Sequence, residues 1–165
     1  FNTEDTLAQA DDTDYAAELA TWFDTYAHDF TATAQIGTNG CALETFPVGA
    51  LGYRIDAFES AEDAEAALAD ETLTAIQTAQ AFSLQEESPL PYAIYTRQTA
   101  LCDFDDALQI RGVEQVGRYV ISTDITVAPD TVPVDAIQEA GILLEQFPLP
   151  LFEDLLWPVV LPETR

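Results

Sequence analysis

The chain has 165 residues, and thirty Asp and Glu against five arginines and no lysine leave a formal net charge of −25 at pH 7. Nucleic acids and anionic lipids bind proteins through Lys and Arg, so this charge argues against such partners. Salt shortens the Debye length from ~10 Å at 0.1 M to ~3 Å at 1 M, so we expect a melting temperature that rises between dilute buffer and molar KCl. The charge therefore indicates either a salt-adapted protein or an ordinary acidic secreted one.

Composition is otherwise that of a single folded domain, because 48% of the residues are hydrophobic and 10% are aromatic. No apolar run approaches the ~18 residues that a membrane span needs. The chain contains no methionine and begins at Phe1, which favours the loss of a leader during export. We therefore predict an extracellular, cell-surface or periplasmic location.

Two cysteines, Cys41 and Cys102, lie far apart in the chain. Neither has a second Cys or a His nearby that would complete a metal site. Cys41 follows a turn-like stretch and Cys102 lies in a predicted strand. We predict one disulfide between them, which would contribute about 4 kcal/mol in the chain-entropy model; the alternative is two buried thiols.

The first segment, residues 1–12, is polar and is predicted to be an arm that leads into a helix. An amphipathic helix of about four turns should follow, because apolar residues recur at helical spacing while acidic residues fall elsewhere. Its buried stripe consists of Tyr15, Leu19, Trp22, Phe23, Tyr26 and Phe30.

Residues 51–58 alternate apolar and polar side chains, which predicts a half-buried strand. Ser60, followed three residues later by Asp63, resembles a capping box and predicts the start of a second helix. That helix should continue to Phe82 and break near Asp70.

Four further strands are predicted at 92–97, 100–104, 108–113 and 117–128, and the last of these has the longest alternating pattern. A third helix is predicted to open after Pro129. Strands joined by short links usually pair antiparallel, with helices over one face. We predict an α+β fold, a mainly antiparallel sheet covered by about three helices, in the order helix, strand, helix, strands, helix.

The sequence offers little that would support catalysis. His28, the single histidine, is predicted to lie on the first helix with Asp24 one turn before it, a spacing more typical of a solvated helix face. With thirty acids, neighbouring carboxylates carry no information about acid–base chemistry. We predict no enzyme, no cofactor and no dedicated metal site, although the acidic stretches 11–14 and 103–106 allow weak binding of divalent cations.

Four arginines lie in or beside predicted strands: Arg54, Arg97, Arg111 and Arg118. In one interpretation several converge on one sheet face, interleaved with tyrosines, and bind a small anion or glycan, because guanidinium groups bind carboxylate and phosphate bidentately. In the other, each pairs across strands with Asp or Glu.

The strongest candidate for a protein-binding surface is the apolar, Pro-punctuated C-terminal segment, residues 147–162. Its prolines exclude a long helix and a central strand. An exposed patch of its large side chains would require a partner, whereas packing on the domain's own core would not. The predicted contact residues are Phe152, Leu155, Leu156 and Trp157.

These observations favour a secreted or cell-surface, non-catalytic protein that serves as a structural or accessory subunit of a larger extracellular assembly. Its partners there are other protein subunits, either different proteins or copies of itself. The alternative is a monomeric extracellular binding module for a small anion or glycan, on a sheet face rich in Arg and Tyr. The first hypothesis depends on the C-terminal segment, and the second on the four arginines.

Overall fold

In a computed structural model the described residues are 2–10, 13–37, 48–86, 91–102 and 104–127. They form four helices and one six-stranded antiparallel sheet, which confirms the predicted α+β fold. The helices are α1 (Thr3–Ala8), α2 (Thr13–Thr25), α3 (Ala61–Ala69) and α4 (Glu71–Ala79). The strands are β1 (His28–Gly37), β2 (Val48–Phe58), β3 (Ser83–Leu84), β4 (Ala93–Leu101), β5 (Phe104–Val116) and β6 (Tyr119–Val127), in the spatial order β1-β2-β6-β5-β4-β3.

The helix signals around Ser60 and Asp70 are confirmed at the residues that carry them. The Ser60 hydroxyl accepts a hydrogen bond from the Asp63 backbone N–H at 3.0 Å and so caps α3. Asp70 ends α3 with an extended backbone and caps α4, because its carboxylate accepts a bond from the Thr72 N–H at 2.6 Å. One residue therefore produces the predicted break between the two helices.

The N-terminal half of the prediction needs two corrections. Residues 1–12 are not only an arm, since Asn2 caps the short helix α1 by accepting a bond from the Asp5 N–H. The predicted first helix is too long, because α2 ends at Thr25 and Ala27 turns the chain with a φ of 50°. The helical spacing between Phe30 and the apolar residues of α2 is a coincidence. Phe30 lies on β1, whose backbone pairs with β2.

Three strands rather than four follow residue 91 in the described ranges, and β4 and β5 are longer than the strands predicted there. The predicted strands at 100–104 and 108–113 belong to one hairpin, in which β4 and β5 join through a tight turn. Cys102 lies in that turn with a φ of 57°, not in a strand. The short strand β3 was not predicted, because two residues carry no alternation to detect.

Helices α2, α3 and α4 share a buried apolar cluster with one face of the sheet. Trp22 of α2 is fully buried, and its indole N–H donates to the Ala67 carbonyl of α3 at 2.9 Å. On the sheet the cluster includes Phe58, Tyr95, Val113 and Val120. The opposite face carries a second buried cluster of Ile55, Ala57, Tyr119 and Ile121, as strand alternation requires.

Several predictions lie outside the described residues. These are the third helix, the C-terminal contact residues Phe152, Leu155, Leu156 and Trp157, and Cys41, so the Cys41–Cys102 disulfide stays a prediction. In the described part of the chain, no helix has the length and apolar character that crossing a membrane requires.

Candidate anion-binding cavity

A cavity of about 440 Å³ lies over the helix-bearing face of the sheet, beyond the C-terminal end of α4. We call it the sheet cavity. Its walls contain three of the five arginines of the chain, together with amide and hydroxyl side chains. The residues that line it include Gly52, Arg54, Gln80, Arg97, Gln109 and Arg111.

Strand register explains why these side chains meet. Arg97 lies directly opposite Gln109 on β4 and β5, and Arg111 lies opposite Asp124 on β5 and β6. Gly52 of β2 in turn lies opposite Asp124. Directly opposed residues of antiparallel strands project from the same face, so the pairs form one continuous polar surface across four strands.

Arg111 is fully engaged in an ion pair with Asp124. Its Nε and Nη2 donate to the two carboxylate oxygens of Asp124 at 2.6 and 2.7 Å, a bidentate arrangement. Its Nη1 donates to the side-chain oxygens of Gln77 and Gln80. The charge of this guanidinium is therefore neutralised within the fold.

Arg54 is paired in the same way, within its own strand. Its Nε and Nη2 donate to the carboxylate of Asp56 at 2.8 and 3.0 Å, and its Nη1 donates to the Tyr15 hydroxyl. Burial alone would raise the pKa of Asp56, but the Arg54 charge and hydrogen bonds from His28, Arg54 and Thr31 outweigh burial and hold that pKa at about 2. Asp56 is thus an ionised carboxylate in the protein interior.

Arg97 differs from both, because it forms no ion pair with any residue in the described part of the chain. Its Nε donates to the Gln109 side-chain oxygen at 2.6 Å and its Nη1 to the Gln80 backbone carbonyl at 2.8 Å. Its guanidinium lies 4.6 Å from the centre of the Phe82 ring, beside that of Arg111 at 4.2 Å. Burial and the neighbouring positive charge of Arg111 lower the pKa of Arg97.

Gly52 keeps the floor of the cavity open. A Cβ atom there would meet the Asp124 Cβ at 3.6 Å and the Ala34 carbonyl at 3.8 Å, which are ordinary contacts. The backbone would therefore accept a side chain, yet the strand has none at this point. Glycine inside a strand often marks a close approach by a ligand or another backbone.

Arg118 and most of the tyrosines lie elsewhere. Arg118 sits in the β5–β6 turn, donates to Asp29 at 3.1 Å and to the Phe58 carbonyl at 2.8 Å, and lies near the Tyr119 ring. The register places Tyr53 and Tyr119 on the sheet face opposite Arg54. The predicted convergence thus holds for Arg54, Arg97 and Arg111 and not for Arg118. Of the tyrosines, Tyr95 lies opposite Arg111 on the same face but packs in the buried cluster, so the tyrosines do not line the cavity with the arginines as a group.

The prediction that His28 lies on a helix beside Asp24 is wrong, because His28 is the first residue of β1. Its side chain is fully buried, with Nδ1 2.8 Å from the Thr3 hydroxyl and Nε2 3.0 Å from the Thr31 hydroxyl. Thr31 in turn donates to Asp56 at 2.6 Å. The ring stacks on Phe23, with 3.6 Å between ring centres. His28 therefore belongs to the packed interior that positions Asp56.

No group of three or more His, Cys, Asp or Glu side chains in the described ranges could hold a metal ion. The acidic stretches at 11–14 and 103–106 fall partly outside those ranges.

Sequence reasoning missed the glutamines and Phe82, which surround Arg97 and Arg111. Gln80 follows the last turn of α4, and Gln109 faces Arg97 only through the β4–β5 register. No local pattern marks either residue. Gly52 could have been identified from the sequence, because it lies inside a strand with an otherwise alternating pattern.

Comparison with protein-family models, with curated proteins and with solved structures found no match to this chain.

Proposed function

We propose that this chain is a binding module that captures a small anion in the sheet cavity. The observation that carries the proposal is the charge of Arg97. Arg54 and Arg111 each have a carboxylate partner, whereas Arg97 has only neutral ones among the described residues. Arg97 is half-buried beside the positive charge of Arg111, and a bound anion would supply the counter-charge that it lacks.

The unusual charge balance of the chain supports the same conclusion. Its net charge is −25, yet three of its five arginines line one cavity. The volume of about 440 Å³ also falls within the range of roughly 300–1,000 Å³ that is typical of small-molecule sites. An extracellular setting and a monomeric state remain predictions.

The test is a titration of the protein with acetate, sulfate and phosphate at constant ionic strength. Binding is measured from the NMR chemical-shift changes of the backbone amides of Gly52, Gln80 and Gln109. We expect saturable shifts centred on the cavity with at least one anion. In Arg97→Gln the affinity should fall about tenfold or more, because a hydrogen bond to a charged group contributes about 1.5–3 kcal/mol.

Arg118→Gln is the matched control, since it makes the same change of charge outside the cavity. Gly52→Val is a second test, because a branched side chain on the floor should block the site while the strand accepts it. Equal weakening in Arg97→Gln and Arg118→Gln would mean that the anion responds to overall charge, and the proposal would be wrong.

The structural-subunit hypothesis rests on Phe152, Leu155, Leu156 and Trp157, which lie outside the described residues. It stays a prediction. Its test is the absolute mass from light scattering in dilute and molar salt, for the unaltered chain and for a variant with Leu155→Ser and Trp157→Ser.

A further inference from the structure

The charges around the sheet cavity favour a ligand with a single negative charge. Three guanidinium groups and two carboxylates, those of Asp56 and Asp124, leave an excess of one positive charge there. Asp124 itself lines the cavity. A second negative charge on the ligand would therefore find no second unpaired cation to balance it, in the field of a chain with a net charge of −25.

The open hydrogen-bonding edge of Arg97 has the geometry that a carboxylate needs. Nε donates to Gln109, and one of the two N–H groups of Nη1 donates to Gln80. One N–H of Nη1 and both of Nη2 make no bond to another described residue. Adjacent N–H groups on the end of a guanidinium match the two oxygens of a carboxylate.

Neutral groups of the cavity wall offer further donors and acceptors. The side-chain oxygens of Gln80 and Gln109 are occupied by Arg111 and Arg97, which turns each side-chain amide into a donor without a bonded acceptor in the described structure. Thr126 adds a hydroxyl that bonds to no other described side chain. These amide and hydroxyl groups can form hydrogen bonds with a ligand that carries hydroxyl groups of its own.

From these features we infer that the ligand of the sheet cavity is a singly charged carboxylic acid with several hydroxyl groups, such as a sugar acid of one ring. This inference rests on the proposed function. The carboxylate binds the open edge of Arg97, and the hydroxyls bind the glutamine amides and Thr126. Dianionic phosphate groups bind more weakly, because the cavity offers one cation without a carboxylate partner and not two.

Four probes separate the parts of the inference: glucuronate has the carboxylate and the hydroxyls, acetate only the carboxylate, glucose only the hydroxyls, and phosphate the wrong charge. Each is titrated at one ionic strength and one pH near 8, where phosphate is mostly dianionic, with the NMR shifts of the cavity residues as the readout. We expect glucuronate to bind at least tenfold more tightly than acetate, and glucose and phosphate to bind more weakly than either.

Thr126→Val tests the hydroxyl contacts, because valine has nearly the same shape and lacks the oxygen. The variant should reduce the advantage of glucuronate over acetate several-fold. An unchanged ratio in a folded variant would overturn the assignment of Thr126, and equal binding of glucuronate and acetate by the unaltered chain would overturn the ligand class.

The two proposals fail in different ways. If phosphate or sulfate binds through Arg97 more tightly than glucuronate, the cavity is an anion site and the carboxylate inference is wrong. If none of the probes produces saturable shifts at the cavity, the proposed function itself is wrong.

Discussion

Two halves of the helix-bearing sheet face differ in polarity and in exposure to solvent, although the same strands form both. Under α2, α3 and α4 the face is apolar and sealed, with Phe58, Val113 and Val120 buried. A few residues further along these strands, past the end of α4, it becomes the polar wall of an open cavity. The position of α4 thus decides which part of the sheet is core and which part is available to a ligand.

The charged groups also differ in whether they have a partner of opposite charge. Asp56 and Arg54 lie at the boundary and satisfy one another, as does the pair of Arg111 and Asp124. Arg97, at the outer side, has no such partner in the described structure. Natural sequences tend to break their own packing rules at functional sites. A guanidinium without a counter-ion, inside an acidic protein, is a departure of that kind.

The largest effect should follow from Phe58→Ala, which opens a void in the helix-covered half. Phe58 is fully buried and packs edge-on against Trp22, with 5.1 Å between ring centres. Loss of its ring should reduce the free energy of unfolding by about 3–5 kcal/mol, measured by urea denaturation. A loss below about 1 kcal/mol would show that this half is not the core of the fold.

The next effect concerns the pair at the boundary. Asp56→Asn keeps the side-chain volume but leaves the Arg54 charge without its carboxylate partner. We expect the free energy of unfolding to fall by about 3 kcal/mol. This value is at the lower end for buried ion pairs, because the Arg54 side chain is 22% exposed. The control is Asp29→Asn, which removes the partner of Arg118 at the surface. Asp29 is 49% exposed, so this variant should lose no more than about 1 kcal/mol. Equal losses would contradict the distinction.

A pH titration sharpens the same comparison. The pKa of Asp56 is lowered on folding, from 3.8 to about 2, so its contribution to stability is complete above pH ~4 and is lost as the pH falls towards 2. The contribution is about 2 kcal/mol. Because other acids also titrate here, the quantity to measure is the difference in unfolding free energy between the unaltered chain and Asp56→Asn. We expect that difference to shrink between pH 5 and pH 2; a constant difference would contradict the ionised state of Asp56.

The smallest effect on stability should come from Arg97→Gln in the cavity half. Arg97 bonds only to neutral groups and stands beside another cation, so its removal should change the free energy of unfolding by less than about 1 kcal/mol. A loss as large as that of Asp56→Asn would make Arg97 a structural residue. Urea denaturation and ligand titration of one preparation would therefore separate the two roles.

Much of the fold could be predicted because its signals are local. Ser60 and Asp70 mark helix ends through bonds to backbone groups two and three residues away. The strand at 51–58 and the last strand show their alternation directly in the sequence. The false extension of α2 to Phe30 has the opposite cause, since only the pairing of β1 with β2 turns those residues into a strand.

The sequence by itself determined the charge of the chain, the helix caps at Ser60 and Asp70, its alternating strands and the position of three arginines on strands. The tertiary structure decided which arginines meet, because the register between β4, β5 and β6 places Arg97 opposite Gln109 and Arg111 opposite Asp124. It also decided that His28 is buried and that α4 stops at the rim of the cavity. The physical reason is one of range: propensities and caps act over a few residues, whereas register and burial depend on partners that are distant in the chain.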